Sequence, residues 1–255
     1  MFHAPVRHFA VALTAVLLVG CGQWSQAQTV PTTIRSEPTT TTTVVETGIS
    51  AVSQRSGLST KAAQQKLIDL GFWLASVDGM YDDTTRQAVM AFQKYYQLHP
   101  TGSINQATAW LLNRQQIRPQ ALGVVGSQAA VDKKRQLVFL VLDGETVFVL
   151  NASTGDDREY TEPDGNTPGV MIRGKAITPV GKFRIGRERP DGWWVGDLGQ
   201  IYRPKYFSGG VAIHGSYSVP AYPASHGCVR VGVAAMDMIW DLDLLPRGTT
   251  VWVYE

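Results

Sequence analysis

The sequence predicts a multidomain α+β protein, in which a small module of three helices precedes a mainly-β domain with one principal helix. Over residues 57–116, apolar residues recur at helical spacing in three short segments. Over residues 130–255, short apolar runs of strand length alternate with loops rich in glycine and proline. A run of helices followed by a run of strands indicates two folding units, and 255 residues provide enough chain for both.

The first 20 residues have the layout of an export signal. Arg7 and His8 precede an apolar run over residues 9–19, which is too short to span a bilayer. The run ends in LVGC at Cys21, which resembles the bacterial lipobox, whose cysteine is lipidated and becomes the mature N-terminus. An ordinary secretory signal with a chance cysteine is the alternative. The small and aliphatic residues before Cys21 favour a lipid anchor in the bacterial membrane.

A polar tract without periodicity follows over residues 21–56. It contains an unbroken threonine run at residues 39–43, and Pro31 and Pro38 interrupt any helix. A segment of this composition buries too little apolar surface to order itself. We therefore expect a disordered tether between the membrane and the folded part of the chain.

Capping residues define the starts of the three predicted helices. Ser59 or Thr60 is expected to cap the first helix. Asp83 or Thr84 is expected to cap the second, and Asn105 the third. The aromatic side chains of this module are expected to be mostly core, because packing is the commonest role of such residues.

The helical segment also carries a recognisable pattern. The stretch "LIDLGFW…DGMYDDTTRQAVMAFQKYYQL…TG" is similar to the peptidoglycan-binding module of wall enzymes, over residues 58–112. The resemblance implies a fold more firmly than a ligand, since these modules do not all bind the same part of the wall.

The strands of the second domain are predicted from apolar runs and turns. Residues 137–142 are continuously apolar, Asp143-Gly144 predicts a hairpin turn, and residues 146–150 return. One helix is expected over residues 233–242. Later strands are expected near residues 176–177, 182–185, 211–213 and 250–254.

The charge of the chain excludes one class of partner. The formal net charge is +2, and no dense run of lysine or arginine occurs. Proteins that bind nucleic acid usually carry a basic patch or stripe. We therefore expect no nucleic-acid partner.

The stretch "SHGCVR" around Cys228 raises a chemical question, because exported proteins seldom keep an unpaired thiol. If Cys21 is lipidated, it cannot form a disulfide with Cys228. His214 and His226 precede the thiol closely, whereas His99 lies in the helical module and is expected at the surface. An imidazole that takes the thiol proton would form an ion pair and favour the thiolate.

Three interpretations of this cluster compete. A metal site needs three or four ligands, and the spacing of Cys228, His214 and His226 fits no zinc pattern. A buried structural cysteine would leave the neighbouring histidines, glycines and arginine unexplained. A cysteine nucleophile with a histidine base accounts for all of them.

The residues of the cluster also form a family signature. "IHGSYSVPAYPASHGCVR" and the upstream "GKAITPVGKF" are similar to motifs of the L,D-transpeptidase catalytic domain, the YkuD type. The resemblance implies that Cys228 is the nucleophile, that His214 is its general base and that the Gly215 carbonyl orients the imidazole. The loop between His214 and Ser225 has ten residues, which is short for the family.

The resemblance implies roles for the remaining residues of the signature. Backbone N–H groups near Gly227 and Cys228 would form the oxyanion hole, and His226 would support the hydrogen bonding of the site. Ser225 and Arg230 would bind the substrate, although Arg230 could equally hold the turn in place.

The implied reaction is acyl transfer between peptidoglycan stem peptides outside the cytoplasm. The cysteine attacks the third residue of a donor stem, expels the terminal D-alanine and forms a thioester, and an acceptor amine then forms a 3-3 cross-link. The resemblance calls for no metal or organic cofactor, and it implies a covalent carbapenem adduct at Cys228. An L,D-carboxypeptidase or endopeptidase and a non-catalytic wall-binding lipoprotein remain the alternatives.

Overall fold

The computed structural model describes residues 57–123 and 125–255, and all of these residues fall in one compact unit. The predicted signal over residues 1–20, the lipidation site Cys21 and the tether over residues 21–56 lie outside the described residues. The fold is α+β, with a helical N-terminal region and a mainly-β region that follows it, as the sequence predicts.

Three helices form the N-terminal region of the described chain. None of the helices in the described ranges has the length and apolar character needed to cross a membrane. Their bounds are Thr60–Asp69 (α1), Asp83–Tyr95 (α2) and Gln106–Arg114 (α3).

The caps of these helices agree with the prediction for two of the three. The side chains of Ser59 and Asn105 accept hydrogen bonds from the first turns of α1 and α3. The prediction for α2 is wrong by one residue, because Asp82, not Asp83 or Thr84, is the N-cap. Asp82 has an extended backbone and its carboxylate accepts the Thr85 N–H at 2.8 Å, whereas Asp83 is already helical.

The helical region shares its core with the first β-sheet. The ring of Phe72 packs edge-on against that of Phe92, with centroids 5.5 Å apart. Tyr95 of α2 contacts Phe139 in the sheet, with ring centroids 6.2 Å apart. Trp110 is an exception to the prediction that the aromatic side chains of the helical module lie mostly in the core, since this residue is 57% exposed. The module is therefore an integral part of the folded unit.

Lys94 of α2 adds a polar connection to this shared core. Its buried ammonium donates to the carbonyls of Gln136 and Ala152, each at 3.0 Å. Burial lowers the pKa of Lys94 to about 7, because desolvation penalises the charged form. The two carbonyls satisfy the buried donor at the junction between the helices and the sheet.

In the described residues, the β region contains two five-stranded sheets and a separate hairpin. The bounds of its elements are Gln128–Asp132 (β1), Leu137–Leu142 (β2), Glu145–Asn151 (β3), Glu159–Pro163 (β4), Met171–Lys175 (β5), Gly181–Arg184 (β6), Arg187–Glu188 (β7), Trp193–Gly196 (β8), Gly199–Ser208 (β9), Val211–Ser216 (β10), Val229–Gly232 (β11), Val233–Asp241 (α4) and Thr250–Tyr254 (β12). The first sheet has the order β3-β2-β1-β12-β6, and the second has the order β11-β10-β9-β7 with β8 also paired to β9. The hairpin is β4-β5, and the helix α4 follows β11.

The structure confirms the predicted hairpin over β2 and β3, whose turn residues Asp143 and Gly144 both have positive φ. The strand predicted at residues 176–177 is wrong. These residues form a loop after β5, and the Ala176 carbonyl accepts from the N–H of Asp157. Two adjacent apolar residues are too weak a signal to separate a strand from a buried loop.

A second apolar core lies between the two sheets and beneath α4. Ile213 of β10 and Val229 and Val231 of β11 are fully buried in it, together with Met236 of α4. Because successive side chains of a strand point to opposite faces, the residues between these positions project away from the core. That alternation determines on which face of the sheet His214 of β10 and Arg230 of β11 lie.

Candidate active site

His214 lies on β10, and Cys228 directly precedes β11, the parallel strand that pairs with β10. In the ladder between β10 and β11, Ile213 pairs with Val229 and His214 pairs with Arg230. Since Ile213 and Val229 point into the core, His214 and Arg230 share the opposite face of the sheet. The register thus places His214 beside Arg230, which follows Cys228 by two residues.

The thiol of Cys228 is half-buried and unpaired. Its Sγ accepts from the Ala212 N–H at 3.4 Å and lies 3.7 Å from the Gly210 carbonyl oxygen. Burial raises the pKa of the thiol, while the Ala212 N–H and the positive charge of Arg230 act in the opposite direction. The thiol is therefore mainly protonated at neutral pH.

The imidazole of His214 is buried and held in one orientation. Its Nδ1 lies 2.9 Å from the Gly215 carbonyl oxygen. A carbonyl can only accept, so Nδ1 carries the proton and Nε2 is left as the basic nitrogen. Burial lowers the pKa of His214 to about 4, with the charge of Arg230 adding to the effect and the Gly215 carbonyl opposing it.

These directions of pKa change bear on the expected ion pair. The thiol pKa is raised and the imidazole pKa is lowered, so both groups are neutral in the free protein at neutral pH. A thiolate–imidazolium pair would require the reverse order of the two pKa values. The expectation of a resting ion pair is therefore not met.

The turn before Cys228 is held by hydrogen bonds within itself. The Ser225 hydroxyl donates to the Cys228 carbonyl at 2.5 Å and accepts from the Gly227 N–H at 3.1 Å. Gly227 has φ +131°, and a Cβ there would lie 2.7 Å from the Ile177 carbonyl oxygen. Only glycine fits this position without displacing backbone.

Thr178 ties the same turn to the loop after β3. Its buried hydroxyl donates to the Gly227 carbonyl at 2.7 Å and accepts from the Gly155 N–H at 2.9 Å. Gly155 also forms a bridge with Ser225. Thr178 was part of the sequence signature, whereas nothing in the sequence pointed to Gly155.

The turn has two consequences for the predicted site residues. The Gly227 N–H already donates to Ser225, whereas the Cys228 N–H donates to no group in the described part of the chain. Ser225 is only 3% exposed, so its hydroxyl is buried inside the turn.

His226 contacts the β4-β5 hairpin. Its Nε2 lies 2.9 Å from a carboxylate oxygen of Glu162, and its ring meets the ring of Tyr160 edge-on with centroids 4.8 Å apart. Glu162 is 64 residues away in sequence and was not predicted. No local signal could have found it, because the pairing depends on how the hairpin packs against the turn.

Arg230 is anchored by its backbone and lies near both reactive groups. Its N–H and carbonyl pair with Ser153 at 2.9 and 3.1 Å. Its charge lowers the pKa of both Cys228 and His214. Electrostatically, Arg230 favours a thiolate and disfavours an imidazolium.

The comparison with protein families identifies both parts of the chain. Residues 127–253 match the L,D-transpeptidase catalytic domain, YkuD, and residues 56–112 match a putative peptidoglycan binding domain. The fold and these two matches define a protein that acts on peptidoglycan, in the cell wall outside the cytoplasm. The chain belongs to the L,D-transpeptidase family.

One solved structure supports this assignment by its sequence identity and its fold. The crystal structure of an L,D-transpeptidase from Xylanimonas cellulosilytica is 41% identical, covers 78% of this chain and 94% of its own, and has a TM-score of 0.69. An L,D-transpeptidase from Stackebrandtia nassauensis is 20% identical over 77% of this chain and 90% of its own, with a TM-score of 0.42. A search of curated proteins found no match.

The neutral state of the thiol leads to a test by alkylation. In the full chain with Cys21→Ala, which leaves Cys228 as the single thiol, iodoacetamide should react more slowly at pH 7 than with an unstructured cysteine peptide. Burial raises the thiol pKa, so the rate should climb about tenfold per pH unit and continue rising above about pH 8.5. The measurement is the alkylation rate from pH 6 to pH 10.

Arg230→Gln supplies the control for this experiment. Removing the charge that lowers the thiol pKa should slow alkylation further at every pH below the new pKa. A rate that levels off below pH 7 would instead reveal a resting thiolate–imidazolium pair and would contradict the neutral assignment.

Proposed function

We propose that this protein forms 3-3 cross-links between peptidoglycan stem peptides through a thioester on Cys228. The main support is the position of His214 on β10 and of Cys228 directly before the neighbouring parallel strand β11, with the imidazole oriented by the Gly215 carbonyl. This arrangement supplies a nucleophile and a base whose acceptor nitrogen is unprotonated. Membership of the L,D-transpeptidase family supports the choice of substrate.

In the first half of the proposed reaction, the sulfur attacks the carbonyl carbon of the third residue of a donor stem. His214 Nε2 takes the thiol proton as the carbon–sulfur bond forms, because thiol and imidazole begin neutral. The bond to the terminal D-alanine then breaks, and the imidazolium returns the proton to the leaving amine. The products are a thioester on Cys228 and free D-alanine.

In the second half, the side-chain amine of an acceptor stem attacks the thioester carbonyl. His214 Nε2 removes a proton from the amine, and the sulfur leaves and is reprotonated. An amide joins the third residues of the two stems, and the enzyme returns to its starting state. A thioester suits this step because amines attack it readily.

The developing oxyanion needs a donor. We assign this role to the Cys228 N–H, supported by its lack of another acceptor in the described residues. Gly227, whose N–H donates to Ser225, contributes the backbone conformation that presents Cys228. Loss of one oxyanion donor typically costs about 3 kcal/mol of transition-state stabilisation.

The other signature residues are proposed to position the site. Ser225 holds the turn through the Cys228 carbonyl and acts as a positioning residue, not as a substrate ligand. His226 positions the β4-β5 hairpin through its contacts with Glu162 and Tyr160. Arg230 stabilises the thiolate as the proton leaves.

We also propose that Cys21 carries a lipid anchor and that residues 21–56 tether the enzyme to the membrane. The support is the apolar run that ends in LVGC and the Thr/Ser/Pro-rich composition that follows. The tether would let the folded unit reach peptidoglycan above the bilayer.

Analysis of reaction products tests the proposed function. Full-length protein incubated with fragments that carry tetrapeptide stems should release one D-alanine for each dimer formed. Mass spectrometry should locate the new amide between two third residues. Shortened stems without dimers would instead identify an L,D-carboxypeptidase or endopeptidase, and unchanged stems would indicate a non-catalytic wall-binding protein.

A further inference from the structure

One exposed arginine of the second sheet belongs to a row of paired residues that leads to the reactive sulfur. Arg187 of β7 pairs in register with Tyr206 of β9, which pairs in turn with Ala212 of β10. The Ala212 N–H donates to Cys228 Sγ at 3.4 Å. Residues that lie opposite each other on neighbouring strands project from the same face of a sheet. The row therefore connects the thiol to a guanidinium group across two strands.

This row lies on the face of the sheet that points away from the second apolar core. In the adjacent row, Ile213 is buried in that core, and Lys205 forms an ion pair with Glu188 at 2.8 Å. Successive side chains of a strand alternate between the two faces, so Arg187 and Tyr206 project from the opposite face. The carboxylate that follows Arg187 in the chain is therefore paired on the other side of the sheet.

The guanidinium of Arg187 is held by an aromatic ring and forms no ion pair with any carboxylate in residues 57–123 and 125–255. Its central carbon lies 4.0 Å from the centroid of the Tyr206 ring. Stacking of this kind orients a guanidinium and leaves its N–H groups free for the two parallel hydrogen bonds that a carboxylate accepts. Because Arg187 is exposed, a ligand can reach it.

The charges around Tyr206 favour an anionic ligand. Burial raises the pKa of Tyr206, the charge of Arg187 lowers it, and an ionised Cys228 raises it, so both groups act on the same hydroxyl. Arg189 and Asp197 also act on this hydroxyl, in opposite directions. At neutral pH the thiol is protonated, and the two arginines leave one positive charge in excess of the aspartate.

The spacing of the row suits a carboxylate that lies one residue beyond the attacked bond. A nucleophile approaches its carbonyl carbon at about 3–3.5 Å, and one further residue places a carboxylate about 7 Å from the sulfur. Adjacent strands are about 4.8 Å apart, so β7 lies about 10 Å from β10, whose Ala212 contacts the sulfur. An arginine that extends from β7 over Tyr206 spans the remaining distance.

From these observations we infer that Arg187, supported by Tyr206, binds the C-terminal carboxylate of the D-alanine that leaves the donor stem. This inference rests on the proposed function, because it takes that D-alanine as the leaving group. The guanidinium would donate two parallel hydrogen bonds to the carboxylate and hold the attacked carbonyl beside the sulfur. A donor stem whose terminal carboxyl group is amidated would lose the charge that Arg187 recognises.

Arg230 is the competing cation, because it also lies on this face of the sheet. It is partly buried, whereas Arg187 is exposed. Its charge already lowers the pKa of Cys228 and of His214. A carboxylate bound to Arg230 would neutralise the charge that stabilises the thiolate, whereas a carboxylate bound to Arg187 leaves that charge in place.

Binding to the full-length Cys228→Ala protein tests this inference without turnover. NMR titration should give dissociation constants for a tetrapeptide stem with a free terminal carboxylate and for the same stem with a C-terminal carboxamide. The carboxylate form should bind roughly tenfold more tightly, because its hydrogen bonds to a guanidinium are charge-assisted. Equal dissociation constants, or no saturable binding of either stem, would overturn the inference.

Variants in the same background locate the recognition of the carboxylate. Arg187→Gln should bind the two stems equally, and Arg187→Lys should recover part of the preference, because lysine keeps the charge but loses the two-pronged geometry. Arg189→Gln is the matched control, since it removes the same charge from an arginine that lies over Trp194 instead, 4.5 Å from the ring centroid. It should keep the preference. Equal loss in the Arg187→Gln and Arg189→Gln proteins would indicate unspecific attraction and would overturn the assignment, as would loss in Arg230→Gln alone.

Turnover of the two stems separates this inference from the proposed function. A wild-type protein that releases D-alanine and D-alaninamide with equal kcat/KM would keep the proposed chemistry and contradict the role of Arg187. A Cys228→Ala protein that prefers the carboxylate, combined with a wild-type protein that forms no thioester, would contradict the proposed chemistry and leave the carboxylate site in place.

Discussion

Replacing Cys228 with alanine should abolish covalent modification by a carbapenem, while wild-type protein gains the mass of one carbapenem per chain. The nucleophilic sulfur is lost, and neither the His214 imidazole nor the backbone donors can form the thioester without it. The expected change is therefore complete loss of the adduct and of cross-linked dimers. Intact-mass spectrometry of the full chain, with Cys21→Ala in both proteins, measures it directly.

His214→Gln serves as the companion variant for this experiment. A glutamine amide cannot accept the thiol proton, so acylation should slow by roughly a hundredfold or more while the sulfur remains. If Cys228→Ala still formed the adduct, another residue would be the nucleophile and the proposed mechanism would be wrong. A His214→Gln protein that acylates at the wild-type rate would remove His214 from the reaction and leave the sulfur in place.

Gly155→Ala should destabilise the protein severely, although Gly155 has no reactive group. A Cβ at Gly155 would lie 2.0 Å from the Ala176 carbonyl oxygen and 2.8 Å from its carbon. The conflict is with backbone atoms, so a rotamer change cannot relieve it. Overpacking commonly costs 1–3 kcal/mol, and we expect about 3 kcal/mol or more here, measured as the free energy of unfolding in urea.

The effect of Gly155→Ala should extend to the reactive cysteine. The Gly155 N–H donates to the Thr178 hydroxyl, which in turn holds the Gly227 carbonyl. Displacing Gly155 should therefore shift the turn before Cys228 and slow acylation in whatever fraction of the protein still folds. Positioning of this kind is sensitive to shifts of about 1 Å.

Gly186→Ala is the matched control, because an added Cβ there meets no atom within 4 Å. This substitution should leave stability unchanged or raise it by up to about 1 kcal/mol, since alanine restricts the unfolded chain. Equal unfolding free energies for the Gly155→Ala and Gly186→Ala proteins would show that the loops at Gly155 and Ala176 separate easily. The hypothesis that Gly155 positions the turn before Cys228 through Thr178 would then be wrong.

Much of the fold is visible in short stretches of the sequence. The caps at Ser59 and Asn105 and the hairpin turn at Asp143-Gly144 depend on groups within a few residues of each other, so local chemistry determined them. At α2 the prediction of Asp83 or Thr84 was wrong, because the adjacent Asp82 can cap a helix by the same local chemistry. The apolar run of β2 was equally clear, because buried strands are continuously apolar.

Proximity along the chain was enough to select the candidate residues, because a thiol, two histidines and the glycines around them lie within one short stretch. What each of these residues contacts depends on how distant segments pack. The pairing of β10 with β11 places His214 beside Arg230 and next to the turn that carries Cys228, and the hairpin brings Glu162 to His226. Packing also removes His214 and part of Cys228 from water, which raises the pKa of the thiol and lowers that of the imidazole. Desolvation and long-range pairing depend on segments that are distant in sequence, so no local pattern encodes them.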